Sequence, residues 1–84
     1  MGLFGKKKIE GKTAEEWFEL AHSEKNLEKQ IDYYTKCLEL DPNNLDAWHN
    51  KGFALAVLKK YEKAIRCYDK ALGINPKTVG VWNK

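Results

Sequence analysis

Residues 45–76 read LDAWHNKGFALAVLKKYEKAIRCYDKALGINP, and this stretch decides the fold. Its apolar residues recur every three or four positions, which predicts two amphipathic helices joined by a tight turn. Pro76 ends the second helix. Gly52 lies inside the first helix, where a glycine costs about 1 kcal/mol against alanine. We therefore expect the second helix to approach closely at Gly52, with small faces supplied by Ala64 and Ala71.

Eight positions of this stretch form a pattern of large and small side chains: Trp48, Gly52, Leu58, Tyr61, Ala64, Tyr68, Ala71 and Pro76. The pattern resembles one unit of the tetratricopeptide repeat (TPR) family, whose 34-residue units are helix-turn-helix repeats. The resemblance implies an all-α fold of antiparallel helix-turn-helix repeats stacked in a short right-handed superhelix. It also implies a non-catalytic module for protein–protein interaction that needs no cofactor.

An earlier copy of the second helix supports the repeat. Residues 27–42 align without gaps with residues 61–76 at an offset of 34, and seven of the sixteen positions are identical. Thr13 and Glu16 have the spacing of a capping box, which opens a helix. The predicted helices of this copy span residues 13–24 and 27–40.

The first helix of the earlier copy departs from the family pattern. A strict 34-residue period places Phe18 where Gly52 stands, and its ring would fill the helix crossing. If three residues are missing near the turn, Trp17 aligns with Trp48 and Ala21 aligns with Gly52. We prefer this second register, because sterics at a packed crossing outweigh strict period.

The sequence predicts four segments: a flexible basic leader (1–11), an atypical and shortened repeat 1 (12–44), repeat 2 (45–78) and the start of a truncated third repeat (79–84). Trp82 lies 34 residues after Trp48, which favours this third unit. Because each stacked repeat buries its neighbour, we expect the chain to be a fragment of a longer array. Alternatively, its uncapped C-terminal face pairs with another copy.

The charge pattern limits the classes of partner. The net charge of +3 comes entirely from Lys6, Lys7 and Lys8, because residues 9–84 carry twelve basic and twelve acidic side chains. A folded part without net positive charge is not typical of a nucleic-acid-binding protein. Neither a signal peptide nor an apolar run of membrane-spanning length is present, so we expect a cytoplasmic protein without a membrane span. A weaker hypothesis is that residues 1–8 touch a membrane surface.

The helical periodicity also predicts the core. The expected core residues are Trp17, Leu20, Leu27, Ile31, Tyr34, Leu38, Trp48, Phe53 or Leu55, Leu58, Tyr61, Ile65, Tyr68 and Leu72. Cys37 occupies the position of Ala71, so we expect it to be small and buried. Cys67 is expected on the outer side of its helix. Two cysteines are too few for a disulfide framework or a zinc site.

A TPR stack offers a concave surface lined by the first helix of each repeat. In this sequence that surface would carry seven residues: Glu15, Glu19, His22, Asp46, His49, Asn50 and Phe53. They predict a polar, mildly acidic peptide groove that prefers a segment with a basic residue. The alternative is that they are ordinary solvated positions. No catalytic, cofactor-binding or metal-ligating residues are predicted.

One ligand class of this family is disfavoured. TPR domains that hold the acidic tails of chaperones use a carboxylate clamp with Lys and Asn on the first helix and Asn on the third. Asn50 matches the third-helix Asn, but the first helix offers Glu15 and Glu19 in one register or Phe18 and His22 in the other. Glutamates facing a carboxylate ligand would repel it.

The sequence therefore predicts a scaffold or adaptor fragment that binds a peptide of a protein partner in its concave groove. The alternative function is a homotypic assembly element that pairs through its exposed terminal helices.

Overall fold

A computed structural model of the chain describes residues 7–74. They form four helices: α1 (Ala14–Ser23), α2 (Leu27–Leu40), α3 (Leu45–Val57) and α4 (Tyr61–Ile74). Helices adjacent in sequence pack together, so α1 lies on α2, α2 on α3 and α3 on α4. This arrangement confirms the predicted all-α helical repeat. The proposed membrane contact of residues 1–8 lies largely outside the described residues, and the third repeat with Trp82 lies wholly outside them.

Side-chain caps explain why the helices begin where they do. Thr13 Oγ1 accepts a hydrogen bond from Glu16 N at 3.3 Å, and Glu16 Oε1 accepts one from Thr13 N at 2.8 Å. This is the predicted capping box, and the backbone hydrogen bond lowers the pKa of the Glu16 carboxyl. Asn26 and Asn44 cap α2 and α3, each accepting a hydrogen bond from a backbone N–H three residues on at 3.0 Å.

The structure shows where the first repeat is shorter than the second. The second helices have 14 residues each, whereas α1 has 10 residues and α3 has 13. Trp17 and Trp48 are the fourth residues of α1 and α3, so the three missing residues belong to the end of α1. Each indole N–H donates to a carbonyl before its helix, at Ile9 (3.0 Å) and Pro42 (2.7 Å). These equivalences match the register that aligns the two tryptophans.

The close approach expected at Gly52 is present at the crossing of α3 and α4. A Cβ at this position would lie 2.7 Å from Cε1 of Tyr68, a separation that real Cβ atoms do not tolerate. The approaching group is therefore the Tyr68 ring and not the small face that we expected from Ala64 and Ala71. Both alanines are buried elsewhere on the inner side of α4.

The core matches the prediction in part. Trp17, Tyr34, Leu38 and Leu55 are buried as expected, as is Cys37 with no exposed surface. Most of the remaining predicted residues are partly buried.

Three predicted core residues are wrong, since they are exposed: Leu20, Tyr61 and Ile65. Of the two alternatives Phe53 and Leu55, Leu55 is the buried one. The prediction for Cys67 is also wrong, because this thiol is only 4% exposed. Ala64, Cys67 and Ala71 form the i, i+3, i+7 stripe that faces α3. Tyr61 and Ile65 lie off this stripe, where nothing within residues 7–74 covers them.

A short turn precedes α1. Ile9 and Lys12 pair through two backbone hydrogen bonds of 2.9 and 3.0 Å, and Glu10 forms an ion pair with Lys36 of α2. Ile9 and Glu10, which belong to the segment that we assigned to a flexible leader, therefore contact the first repeat.

None of the helices within residues 7–74 combines the length and the apolar character needed to cross a membrane.

Candidate functional site

An open groove runs between the first helices of the two repeats. Its walls are Phe18, Glu19 and His22 of α1 and Asp46 and Asn50 of α3, and its volume is about 650 Å³. We call it the α1/α3 groove. Four of its five lining residues belong to the predicted concave surface, so these four predicted residues lie around one groove.

Aromatic rings form the α1 wall of this groove. The Phe18 and His22 rings are stacked with their centroids 6.3 Å apart and their planes at 9°. Phe18 also meets the buried ring of Tyr34 edge-on at 5.6 Å. This second contact fixes the position of Phe18, because edge-to-face pairs stabilise a specific geometry. Phe18 was not predicted as a site residue, although it lies one helical turn before His22.

Asn50 is held at the base of the groove. Its side-chain amide donates to the Tyr34 hydroxyl at 3.2 Å. Burial raises the pKa of this hydroxyl, the hydrogen bond from Asn50 opposes the shift, and the nearby charge of Asp46 adds to it. Tyr34 is therefore uncharged at neutral pH. The amide oxygen of Asn50 has no hydrogen bond within residues 7–74, so it can accept one from a ligand.

The two repeats match known sequences. A tetratricopeptide repeat model matches residues 45–78, and a second model of the same description matches residues 17–44. The chain belongs to the tetratricopeptide repeat family. Repeats of this family form protein–protein interaction modules that are generally non-catalytic.

A relative in an archaeon shares part of this TPR sequence. The uncharacterized protein MJ0572 of Methanocaldococcus jannaschii is 45% identical over 42 residues. The match covers 50% of this chain and 49% of that protein, so the matched segment spans about half of the relative's length.

Three predicted site residues of the TPR surface lie outside the α1/α3 groove. Glu15 is near enough to Cys37 for its charge to disfavour the thiolate there. The ring of His49 lies 6.2 Å from that of Tyr68, on the side of α4. Phe53 is 59% exposed and lies one turn beyond Asn50. The α1/α3 groove therefore contains four of the seven predicted residues, and these three are not among its lining residues.

The two TPR cysteines are buried thiols rather than nucleophiles. Burial raises the pKa of Cys37 to about 11, and the charges of Asp41 and Glu15 add to the shift. Burial also raises the pKa of Cys67, with partial opposition from the Lys51 ammonium. Both thiols are therefore protonated and unreactive at neutral pH. Within residues 7–74, no three His, Cys, Asp or Glu side chains are grouped in a metal-binding arrangement.

Sequence reasoning missed a second groove on the other side of α3. It also has a volume of about 650 Å³, and five cationic side chains line it: Lys51, Lys60, Lys63, Arg66 and Lys70. We call it the α2/α4 groove because these two helices flank it. The neutral charge count of residues 9–84 gave no indication of this cationic surface. The spacing of Lys63, Arg66 and Lys70 was the available signal, because it places them along one side of α4.

Proposed function

We propose that the chain is a scaffold or adaptor module that binds a peptide segment of a protein partner in the α1/α3 groove. The observation that carries this proposal is the convergence of two carboxylates, an aromatic pair and a positioned amide on one open surface. Membership of the TPR family supports the general role in protein interaction, and the groove chemistry supports the choice of ligand.

The carboxylates select a basic residue in the peptide. Glu19 and Asp46 lie on opposite walls, so a Lys or Arg side chain between them would meet negative charge from both helices. The stacked rings of Phe18 and His22 would cover the aliphatic stem of that side chain. The amide oxygen of Asn50 would accept a hydrogen bond from the peptide backbone. The same two carboxylates disfavour a ligand that ends in a carboxylate cluster.

The test is binding of a labelled nonapeptide that has a central arginine between two leucines. We expect the double variant Glu19→Gln and Asp46→Asn to weaken binding by about tenfold or more, because both attractive charges are removed. Glu39→Gln is the matched control, since Glu39 is an exposed carboxylate of α2 that lines neither groove. Equal affinities for the double variant and the parent chain would refute the proposal.

Self-association is the second candidate function. Val57, Tyr61 and Ile65 are each about half exposed or more and lie on α3 and α4, which are the last helices described. Burying such side chains between two copies is favourable by roughly 25 cal/mol per Å². Sedimentation over a concentration series should then show a dimer that Ile65→Lys disrupts. A monomer at all concentrations would exclude this candidate. The cytoplasmic location stays a prediction.

A further inference from the structure

The floor of the α2/α4 groove is apolar. Ile31 from α2, Trp48 and Leu55 from α3, and the buried Cys67 from α4 contribute to it. Leu55 and Cys67 belong to one packed cluster against which Ile31 and Trp48 lie. A floor built on the core is pre-formed, as ligand sites usually are.

The rim of this groove is cationic. Lys60 directly precedes α4, and Lys63, Arg66 and Lys70 follow one side of this helix. Lys51 joins them from α3 with its ammonium 5.6 Å from the Trp48 ring centroid. Glu28 is the one carboxylate among the lining residues. Within residues 7–74, none of the five cations forms an ion pair. The positive charge is thus available to a ligand.

We propose that the α2/α4 groove binds an acidic segment of a partner protein that also carries an apolar side chain. The acidic residues would pair with the cations along α4, and the apolar side chain would occupy the floor between Ile31 and Leu55. The cations from Lys60 to Lys70 span about 15 Å of helix, at about 1.5 Å per residue. An extended peptide covers that length with roughly five residues.

The chemistry of the groove favours a peptide over a nucleic acid. Lys51 covers a face of Trp48, which therefore does not offer that face for stacking bases. The apolar side chains of the floor cannot form hydrogen bonds or ion pairs with phosphate or sugar groups. The neighbouring α1/α3 groove carries Glu19 and Asp46, whose charges would repel an extended polyanion.

This site is independent of the α1/α3 groove. Asp46 and Asn50 face that groove, whereas Trp48, Lys51 and Leu55 line the α2/α4 groove. At 100° per residue, these two sets lie on opposite sides of α3. One repeat pair therefore presents two grooves of opposite charge preference.

The experiment uses the 84-residue chain and a fluorescein-labelled nonapeptide of aspartate and glutamate with one central leucine. Fluorescence anisotropy in about 50 mM NaCl should show binding that weakens strongly at about 300 mM NaCl, because the attraction is screened. Replacing the leucine with serine should weaken binding by about tenfold, the effect of losing one buried apolar side chain. In NMR spectra of the chain, the backbone amide signals of Leu55 and Cys67 should shift when this peptide is added.

Charge reversal on α4 should remove this binding. Arg66→Asp and Lys63→Glu should each weaken it by about tenfold or more, and Lys29→Glu should change it by less than about twofold. Lys29 is the repeat 1 counterpart of Lys63 and does not line the groove. Circular dichroism establishes that each variant remains helical. Glu19→Gln should leave the acidic peptide bound, which separates this site from the α1/α3 groove.

Three outcomes would overturn the inference. The first is no binding of the acidic peptide to the folded chain. The second is an equal loss for Lys29→Glu and Arg66→Asp, which would show diffuse attraction to net charge. The third is tighter binding of an oligothymidylate than of the peptide, with no effect of the central leucine, which would assign the groove to nucleic acid.

Discussion

Repeat 1 and repeat 2 place the same lysine in opposite electrostatic surroundings. Lys36 Nζ lies 3.2 Å from Glu10 Oε2 and 3.1 Å from Asp32 Oδ2, and it lies 4.7 Å from the centroid of a tryptophan ring. The two carboxylates raise the pKa of Lys36, with the hydrogen bond to Asp32 as the largest cause and the hydrogen bond to Glu10 as the next. Lys70 is its counterpart in repeat 2, and Arg66 stands where repeat 1 has Asp32.

A sequence without net charge can therefore carry a strongly charged surface. Repeat 2 has Arg66 at the position that is Asp32 in repeat 1. Lys70 therefore lacks the i, i+4 carboxylate that Lys36 has, and it has a second cation beside it instead. The second helices of the two repeats have the same length of 14 residues. The two repeats share a scaffold and differ in what they can bind.

The helix crossings of the two repeats differ as well. Phe18 meets Tyr34 edge-on in repeat 1, and His49 meets Tyr68 at 6.2 Å in repeat 2. The tyrosines are equivalent in the 34-residue alignment. Repeat 2 has Gly52 under its tyrosine, and a Cβ there would lie 2.7 Å from the Tyr68 ring, whereas repeat 1 has Ala21 at the aligned position.

The largest effect is expected at that tight crossing. Gly52→Leu should lower the free energy of unfolding by about 2–3 kcal/mol, because the added side chain must displace the Tyr68 ring. Urea unfolding followed by circular dichroism measures the change.

The control for this crossing is Gly73→Leu in α4. A Cβ at Gly73 would meet no atom within 4 Å, so leucine there should change stability by less than about 1 kcal/mol. Equal losses of unfolding free energy for Gly52→Leu and Gly73→Leu would contradict the close approach at Gly52.

A smaller effect concerns the position that is Cys37 in repeat 1 and Ala71 in repeat 2. The thiol has a pKa of about 11 in the folded chain against an ordinary value of 9.0. Between these values the unfolded chain loses the thiol proton and the folded chain retains it, so ionisation favours unfolding. Stability should therefore be intact below pH 9 and should fall by at most about 1.4 kcal/mol per pH unit above it.

The variant Cys37→Ala gives repeat 1 the residue of repeat 2 and tests this pH dependence. Its free energy of unfolding should fall less steeply over the same alkaline range. Part of the slope should remain, because burial also raises the pKa values of Tyr34 and Cys67. An unchanged slope would show that the Cys37 thiol does not contribute.

The smallest effect is expected in the turns. Lys59 has a φ of 65° between α3 and α4, where Lys60 N donates to the Leu55 carbonyl at 2.9 Å in a Schellman arrangement. Lys59→Gly should therefore raise the free energy of unfolding by up to about 1 kcal/mol. The turn between α1 and α2 has no residue with a positive φ, so Lys25→Gly should not raise the free energy of unfolding. Thermal melts that rank the two variants in the opposite order would contradict this account.

Local sequence was sufficient where one residue acts on its own backbone. The helix bounds followed from the capping box at Thr13 and from the proline that stops α2, and the structure places them within one residue of the prediction. The conflict between Phe18 and the strict 34-residue period indicated a shortened first repeat. In the α1/α3 groove, four of five residues were predicted because helical spacing places them on one face.

Sequence alone was insufficient where burial depends on a neighbour. Tyr61 and Ile65 have the periodicity of core residues, yet they are exposed, since α4 packs on α3 through the stripe that contains Cys67. Periodicity indicates that a face is apolar. It does not indicate which apolar face the next helix will cover.

The sequence was enough to predict the family, the four helices and the close approach at Gly52, because propensity, capping and side-chain size act over a few residues. The tertiary structure decided which cations remain unpaired and which side chains share a groove. These properties arise from residues far apart in the chain. Glu10 neutralises Lys36 only because the turn before α1 lies against α2, and Lys51 reaches the cations of α4 only because α3 and α4 pack together.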